Sequence, residues 1–132
     1  MEKKANNEDK IMWKVMIVDD EKLICKLVQA LVEWDKLGMQ MAAQAENAIQ
    51  ALDMLQQYRP DILITDIRMP GMDGLELIKN AKKICPELEI IIISGYAHFE
   101  YARNALSLGV GNYLLKPIKQ DELNETLRKI GE

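Results

Sequence analysis

The sequence predicts an α/β protein of the (βα)5 type: a doubly wound three-layer sandwich built on a parallel five-stranded sheet. Three observations predict it. Short, nearly continuous runs rich in Ile and Val occur at Val15–Val18, Ile62–Ile64 and Ile90–Ile93, as expected for strands buried on both faces. Stretches of helical period lie between them. Gly38, Pro60, Pro86 and Gly109 fall where successive helices have to stop.

The chain has 132 residues, 48% hydrophobic and 29% charged, the balance of one ordinary domain. Residues 1–12 are mostly polar and charged with little to bury, so a disordered tail is expected there, ahead of a single domain at 13–132. The first strand at Val15–Val18 leads into a helix whose buried stripe is expected to be Leu23, Leu27, Leu31 and Trp34, ending before Gly38. A weaker strand fits Met39–Ala45. The second helix carries Ala48, Leu52 and Leu55, and the third, after Ile62–Ile64, carries Ile78, Ala81 and Ile84. A fourth helix follows Ile90–Ile93 and stops at Gly109. A weaker fifth strand fits Gly111–Leu115, and a last helix from Gln120 to Ile130 has Leu123, Leu127 and Ile130 on one face. Right-handed crossovers complete the fold.

No stretch approaches the roughly 18 continuous apolar residues of a membrane span, and no secretory leader is evident, so a cytoplasmic protein is expected. Lys and Arg number 17 against 21 Asp and Glu, a net charge of -4 that disfavours direct contact with nucleic acid. Cys25 and Cys85 belong to no CxxC pattern and are expected to be buried thiols in helical stretches, with no disulfide or zinc site. The methionines read as packing rather than a ligand stripe. Gly109 and Gly111 lack the third glycine of a dinucleotide fingerprint.

In a doubly wound sheet, ligands bind beyond the carboxyl ends of the strands. Asp19, Asp20 and Glu21 crowd the end of the first strand. One of them can serve as a helix N-cap, but three carboxylates repel unless a cation sits among them. The third strand ends at Thr65 and Asp66, and parallel register brings Asp66 beside Asp19 and Asp20. Such oxygen ligands suit magnesium, which takes one or two carboxylates, keeps several waters and adds phosphate oxygens. The fourth strand ends at Ser94, by itself an ordinary turn or cap residue, and the fifth at Lys116 and Pro117, where a lysine supplies positive charge or points into solvent.

Together these residues resemble the receiver domains of two-component response regulators. VDDE at 18–21, TDIRMPGMDGLELI at 65–78, SGYAHFEYARNAL at 94–106 and YLLKP at 113–117 carry the likeness in order and spacing. The resemblance implies strand order 2-1-3-4-5, the order of flavodoxin and CheY-like folds. It makes Asp66 the phosphoacceptor, Asp20 a direct metal ligand, Asp19 an acidic partner through water, and Arg68 a metal ligand through its backbone carbonyl. Lys116 becomes the phosphate-pairing cation, with a cis bond to Pro117; Ser94 becomes the switch hydroxyl and Tyr113 the aromatic switch residue. Mg2+ is the implied cofactor and a sensor histidine kinase the implied donor, its own histidine carrying the phosphoryl group. His98 is therefore expected to be a surface residue.

Phosphorylation is then expected to draw the loop after the fourth strand inward and let Tyr113 rotate into the vacated space. That reshapes the face formed by the helix after the fourth strand, the fifth strand and the last helix, which is expected to serve a homodimer or an output contact. The 94–106 segment looks like that of receivers joined to AraC-type DNA-binding domains, which implies control of transcription. Arg68 and Tyr96 lie two residues beyond site residues, where bulk shields an acyl phosphate from water, so slowed hydrolysis is expected.

Three other functions compete with this reading. A flavin carrier shares the fold class, but Asp19, Asp20 and Glu21 repel a flavin phosphate. A haloacid dehalogenase-type phosphatase needs a DxD motif, whereas Asp19 and Asp20 are adjacent. A degenerate receiver that works by binding alone is the alternative to the phosphorylated one.

Overall fold

The computed structural model describes residues 12–69, 71, 74–95, 103–104 and 108–132. Five strands, β1 (Trp13–Val18), β2 (Met39–Ala45), β3 (Ile62–Asp66), β4 (Glu89–Ser94) and β5 (Asn112–Leu115), form one parallel sheet in the order β2-β1-β3-β4-β5. The described helices are α1 (Lys22–Leu31), a single turn α2 (Trp34–Leu37), α3 (Ala48–Tyr58), α4 (Gly74–Ile84) and α5 (Gln120–Ile130). The helix expected after the fourth strand falls largely outside the described residues, as do residues 1–11.

Alternation along the strands sorts their side chains onto two faces. Val15, Ile17, Ile62, Ile64, Ile91 and Ile93 pack with Cys25 and Val28 of α1 and Leu123 and Leu127 of α5. Met16, Val18, Leu63, Ile90 and Ile92 pack with Ala48, Ala51 and Leu55 of α3 and Leu77, Ile78 and Ala81 of α4. Apolar side chains are needed on both faces, which is why the strand segments read as unbroken Ile and Val runs. All five residues of β3 are buried.

The first helix departs from expectation in two ways. Its buried residues are Cys25 and Val28, while Leu23 and Leu27, placed in the buried stripe by spacing, are 77% and 40% exposed. Ile24, Cys25, Val28 and Leu31 form one apolar stripe and Leu23 and Leu27 begin another, so periodicity alone did not select between them; packing on the sheet did. The helix also stops at Leu31, not before Gly38, and Val32 is extended (φ -73, ψ 133). Asn124 of α5 explains the break. Its amide nitrogen donates to the Leu31 carbonyl at 2.9 Å, and its side-chain oxygen accepts from the Glu33 amide at 2.8 Å, so backbone groups freed at the helix end are satisfied from a neighbouring element. Gly38 then ends α2 with φ 70, a left-handed conformation that suits glycine.

Cys25 is buried as expected, whereas Cys85 lies just past α4 and is only half-buried, with Arg59 Nη1 at 3.9 Å from its sulfur; both are free thiols. No helix among the described residues is long and apolar enough to cross a membrane.

Helix α4 starts hard against the chain leaving β3. The Gly74 amide donates to the Ile67 carbonyl at 2.7 Å. A Cβ at Gly74 would lie 2.7 Å from the Ile67 Cα and 2.8 Å from the Asp66 carbonyl oxygen, both backbone atoms that yield only if the chain moves. Gly74→Ala is therefore expected to lower stability by about 1–3 kcal/mol, read as an earlier urea midpoint with an unchanged slope.

Candidate functional site

The site is assembled by register. Val18 pairs with Thr65 across β1 and β3, so Asp19 and Asp66 follow at the same sheet edge. Asp66 pairs with Ile93, and Ser94 with Leu115, which places Ser94 and Lys116 successively along that edge. The Lys116 amide donates to the Ser94 carbonyl at 2.7 Å, extending the β4–β5 pairing by one bond. The Lys116–Pro117 bond is cis, as the resemblance implied.

Asp19, Asp20 and Asp66 each present a carboxylate oxygen, all within 4.8 Å of one another. Asp19 is 2% exposed and Asp66 8%, while Asp20 faces solvent. Lys116 lies among these acids: its Nζ is 3.3 Å from Asp66 Oδ2, 3.6 Å from Asp19 Oδ2 and 3.9 Å from Glu21 Oε1. Asp66 is oriented from its other side, where Oδ1 accepts from the Ile67 amide at 2.7 Å and the Arg68 amide at 3.3 Å. Asp19 Oδ1 accepts from the Glu21 amide at 2.9 Å.

Electrostatics follow from this packing. Burial pushes the Asp19 carboxyl up from an ordinary 3.8 to about 6; the Glu21 amide pulls the other way and the Asp66 charge adds to the rise. For Lys116, burial by itself favours the neutral amine, but Asp66 and Asp19 outweigh it and raise its pKa, so it stays a cation. Burial, with Asp19 nearby, pushes the Cys25 thiol up to about 11, which makes it unreactive. A divalent cation fits this donor set, because three carboxylates converge and at least one is buried at a cost that positive charge would offset.

Ser94 is fully buried, and its hydroxyl lies 3.1 Å from the Tyr113 hydroxyl. The Tyr113 ring is half-buried against the cluster on the α3 and α4 side. Arg68 is exposed, whereas Tyr96 and His98 lie outside the described residues.

The site residues named from sequence, Asp19, Asp20, Asp66, Ser94, Tyr113 and Lys116, come together at one edge of the sheet, with Arg68 two residues past Asp66. Sequence reasoning assigned no role to Glu21 beside Lys116 or to Gly74 beneath the Asp66 backbone. A glycine opening a helix directly after a site loop was the available signal for the second.

The sequence pattern of the response regulator receiver domain matches residues 15–128. The chain belongs to that family. Among curated relatives, the receiver domain is 40% identical over 119 residues to the uncharacterized transcriptional regulatory protein YesN of Bacillus subtilis, covering 90% of this chain and 32% of that one. It is 33% identical over 119 residues to the transcriptional regulatory protein HptR of Staphylococcus aureus, covering 90% and 46%. The chain thus spans between a third and a half of the length of these relatives. Among solved structures, the REC domain of AraT, a response regulator from Geobacillus stearothermophilus, superposes with a TM-score of 0.86 at 39% identity, covering 90% of this chain and 92% of that one. A two-component transcriptional regulator AraC from Clostridium phytofermentans gives 0.83 at 36%, covering 89% and 91%. Receiver domains are signalling domains with an acidic magnesium pocket, and they pair with histidine kinases.

Because the folded pKa of Asp19 lies above its unfolded value, the native receiver holds this proton more tightly than the unfolded chain. Metal-free stability should therefore fall as pH rises from about 4 to about 6 and change little from this group beyond. Asp19→Asn keeps an acceptor for the Glu21 amide and removes the buried charge. In a chelating buffer it is expected to stabilise the domain by on the order of 2 kcal/mol at pH 7 and by little below pH 4, as measured by urea unfolding at both pH values.

Proposed function

We propose that this receiver accepts a phosphoryl group on Asp66 from a sensor histidine kinase, in a Mg2+-dependent reaction, and so switches an output that controls transcription. The observation that carries the reading is the position of Lys116 Nζ, 3.3 Å from Asp66 Oδ2, within a group of acids that converges as a divalent cation requires.

In this reading Asp19, Asp20, Asp66 and the Arg68 backbone carbonyl hold the metal, with Asp19 acting largely through water. Bound Mg2+ would neutralise charge and orient phosphoryl oxygens. The Ile67 and Arg68 amides fix the plane of the Asp66 carboxylate, so one of its oxygens meets the phosphorus of a phosphohistidine in line. A phosphorus–oxygen bond forms, the phosphorus–nitrogen bond breaks, and the imidazole leaves with the electron pair and takes up a proton. Positioning and charge compensation supply the catalysis. Lys116 then pairs with the new phosphoryl oxygens, and the Ser94 hydroxyl donates to one of them. Arg68, exposed two residues past the acceptor, would screen the acyl phosphate from water by its bulk.

The donor would meet the domain at this edge, where the exposed Leu23 lies in the first turn of α1, three residues past Asp20. The output would be read from the face of β5, α5 and the helix expected before β5, through a homodimer or an AraC-type DNA-binding domain; the relatives named as a transcriptional regulator AraC and as the transcriptional regulatory protein HptR support an output in transcription. A cytoplasmic location belongs to the same reading.

Intact-mass spectrometry after incubation with acetyl phosphate tests donor, metal and acceptor together. A gain of one phosphoryl group is expected only with Mg2+, and none in Asp66→Asn. No gain in the native protein, from acetyl phosphate or from a phosphorylated kinase, would instead favour a receiver that acts by binding alone. Since Asp19 must lose its proton to serve a cation, the Mg2+ affinity measured by titration should climb as pH approaches about 6 and level off above it.

A further inference from the structure

We infer that Glu21 is a positioning residue for Lys116: its carboxylate keeps the ammonium at the acidic edge while Asp19, Asp20 and Asp66 take up a divalent cation. The inference rests on that group holding Mg2+ and adds to it a residue outside the metal set.

The backbone of Glu21 is fixed from both sides. Its amide donates to Asp19 Oδ1 at 2.9 Å, and its carbonyl accepts from the Ile24 amide at 3.0 Å and the Cys25 amide at 3.3 Å as α1 begins. Glu21 occupies the N-cap of α1, yet its side chain makes no capping hydrogen bond. The carboxylate is therefore left for another partner, and its Oε1 lies 3.9 Å from Lys116 Nζ. An acid at a helix start also gains from the helix dipole, which by itself accounts for a glutamate here. The dipole has no bearing on Lys116, and that separates the two roles.

Among the described residues Lys116 pairs with three acids, Asp66, Asp19 and Glu21. Asp66 and Asp19 also belong to the group whose oxygens converge within 4.8 Å, whereas Glu21 does not. A divalent cation entering that group and the ammonium draw on the same two carboxylates and repel each other. Without a partner of its own, Lys116 either competes with the metal or moves toward solvent, away from the edge at which it is to meet phosphoryl oxygens. Glu21 supplies that partner. By linkage, the factor by which Glu21 strengthens Mg2+ binding is the factor by which Mg2+ strengthens the Glu21–Lys116 pair. The Glu21 side chain is 65% exposed, so water screens the pair and the factor is small.

The test is the Mg2+ affinity of the domain, read by calorimetric titration, in the native protein, Glu21→Gln, Lys116→Met and the double variant, each first shown to be folded by its urea midpoint in a chelating buffer. Glu21→Gln is expected to weaken Mg2+ binding about threefold. In the Lys116→Met background the same substitution is expected to change nothing. Unchanged or tighter binding in Glu21→Gln would overturn the proposal. An equal loss in both backgrounds would also overturn it, because Glu21 would then act on the cation directly or through the start of α1. A second measurement needs no change at Lys116: at saturating Mg2+ the two Hε protons of Lys116 are expected to give separate NMR signals in the native protein, where the ammonium is held, and one averaged signal in Glu21→Gln. Identical patterns in the two proteins count against the proposal in the same way. Failure of the native protein to bind Mg2+ sinks this inference and the metal-dependent reading of Asp66 together, whereas native binding with any other contrary outcome leaves that reading standing.

Discussion

Mutual repulsion among Asp19, Asp20 and Asp66 is the constraint on which the functional edge of this receiver depends. Carboxylate oxygens within 4.8 Å of one another, two of the three side chains buried, are unfavourable in any fold that does not bring positive charge to them. Lys116 supplies part of that charge, and its raised pKa is the same interaction seen from the other side. A second part is left for a divalent cation. Burial, with the Asp66 charge adding to it, raises the pKa of Asp19, so the cost of holding this carboxylate and its readiness for a cation share an origin.

Holding such a cluster together requires a rigid frame, and the parallel sheet provides it. Asp19 and Asp20 follow β1, Asp66 ends β3 and Lys116 follows β5, so their places are set by the ladder of adjoining strands. Both faces of the central strands are covered, by α1 and α5 on one side and α3 and α4 on the other. Gly74 brings α4 into contact with the backbone of Asp66 and Ile67, and the Ile67 amide in turn orients the Asp66 carboxylate. Packing beneath the site and geometry within it are thus one arrangement.

The route from site to surface is short. Ser94 touches the acidic edge through its place at the end of β4 and touches Tyr113 through its hydroxyl, and Tyr113 belongs to β5 at the border of the sheet. Asn124 ties α5 to the end of α1 through the Leu31 carbonyl and the Glu33 amide.

What the sequence determined by itself was the identity of the strand ends. Unbroken Ile and Val runs mark strands buried on both faces, so the polar residues that follow them, Asp19, Asp66, Ser94 and Lys116, had to emerge at one edge. The bounds of the second strand and of the last helix were legible for a similar reason: their apolar spacing and flanking breakers agree. Tertiary structure decided what local pattern leaves degenerate. Helix α1 has apolar residues on more than one side, and only packing against Val15, Ile17 and α5 selected Cys25 and Val28 over Leu23 and Leu27. Its early end depends on Asn124, far along the chain, and no local signal announces that. The meeting of the Ser94 and Tyr113 hydroxyls depends on the β4–β5 register and on side-chain rotamers, quantities that arise only once the strands are side by side.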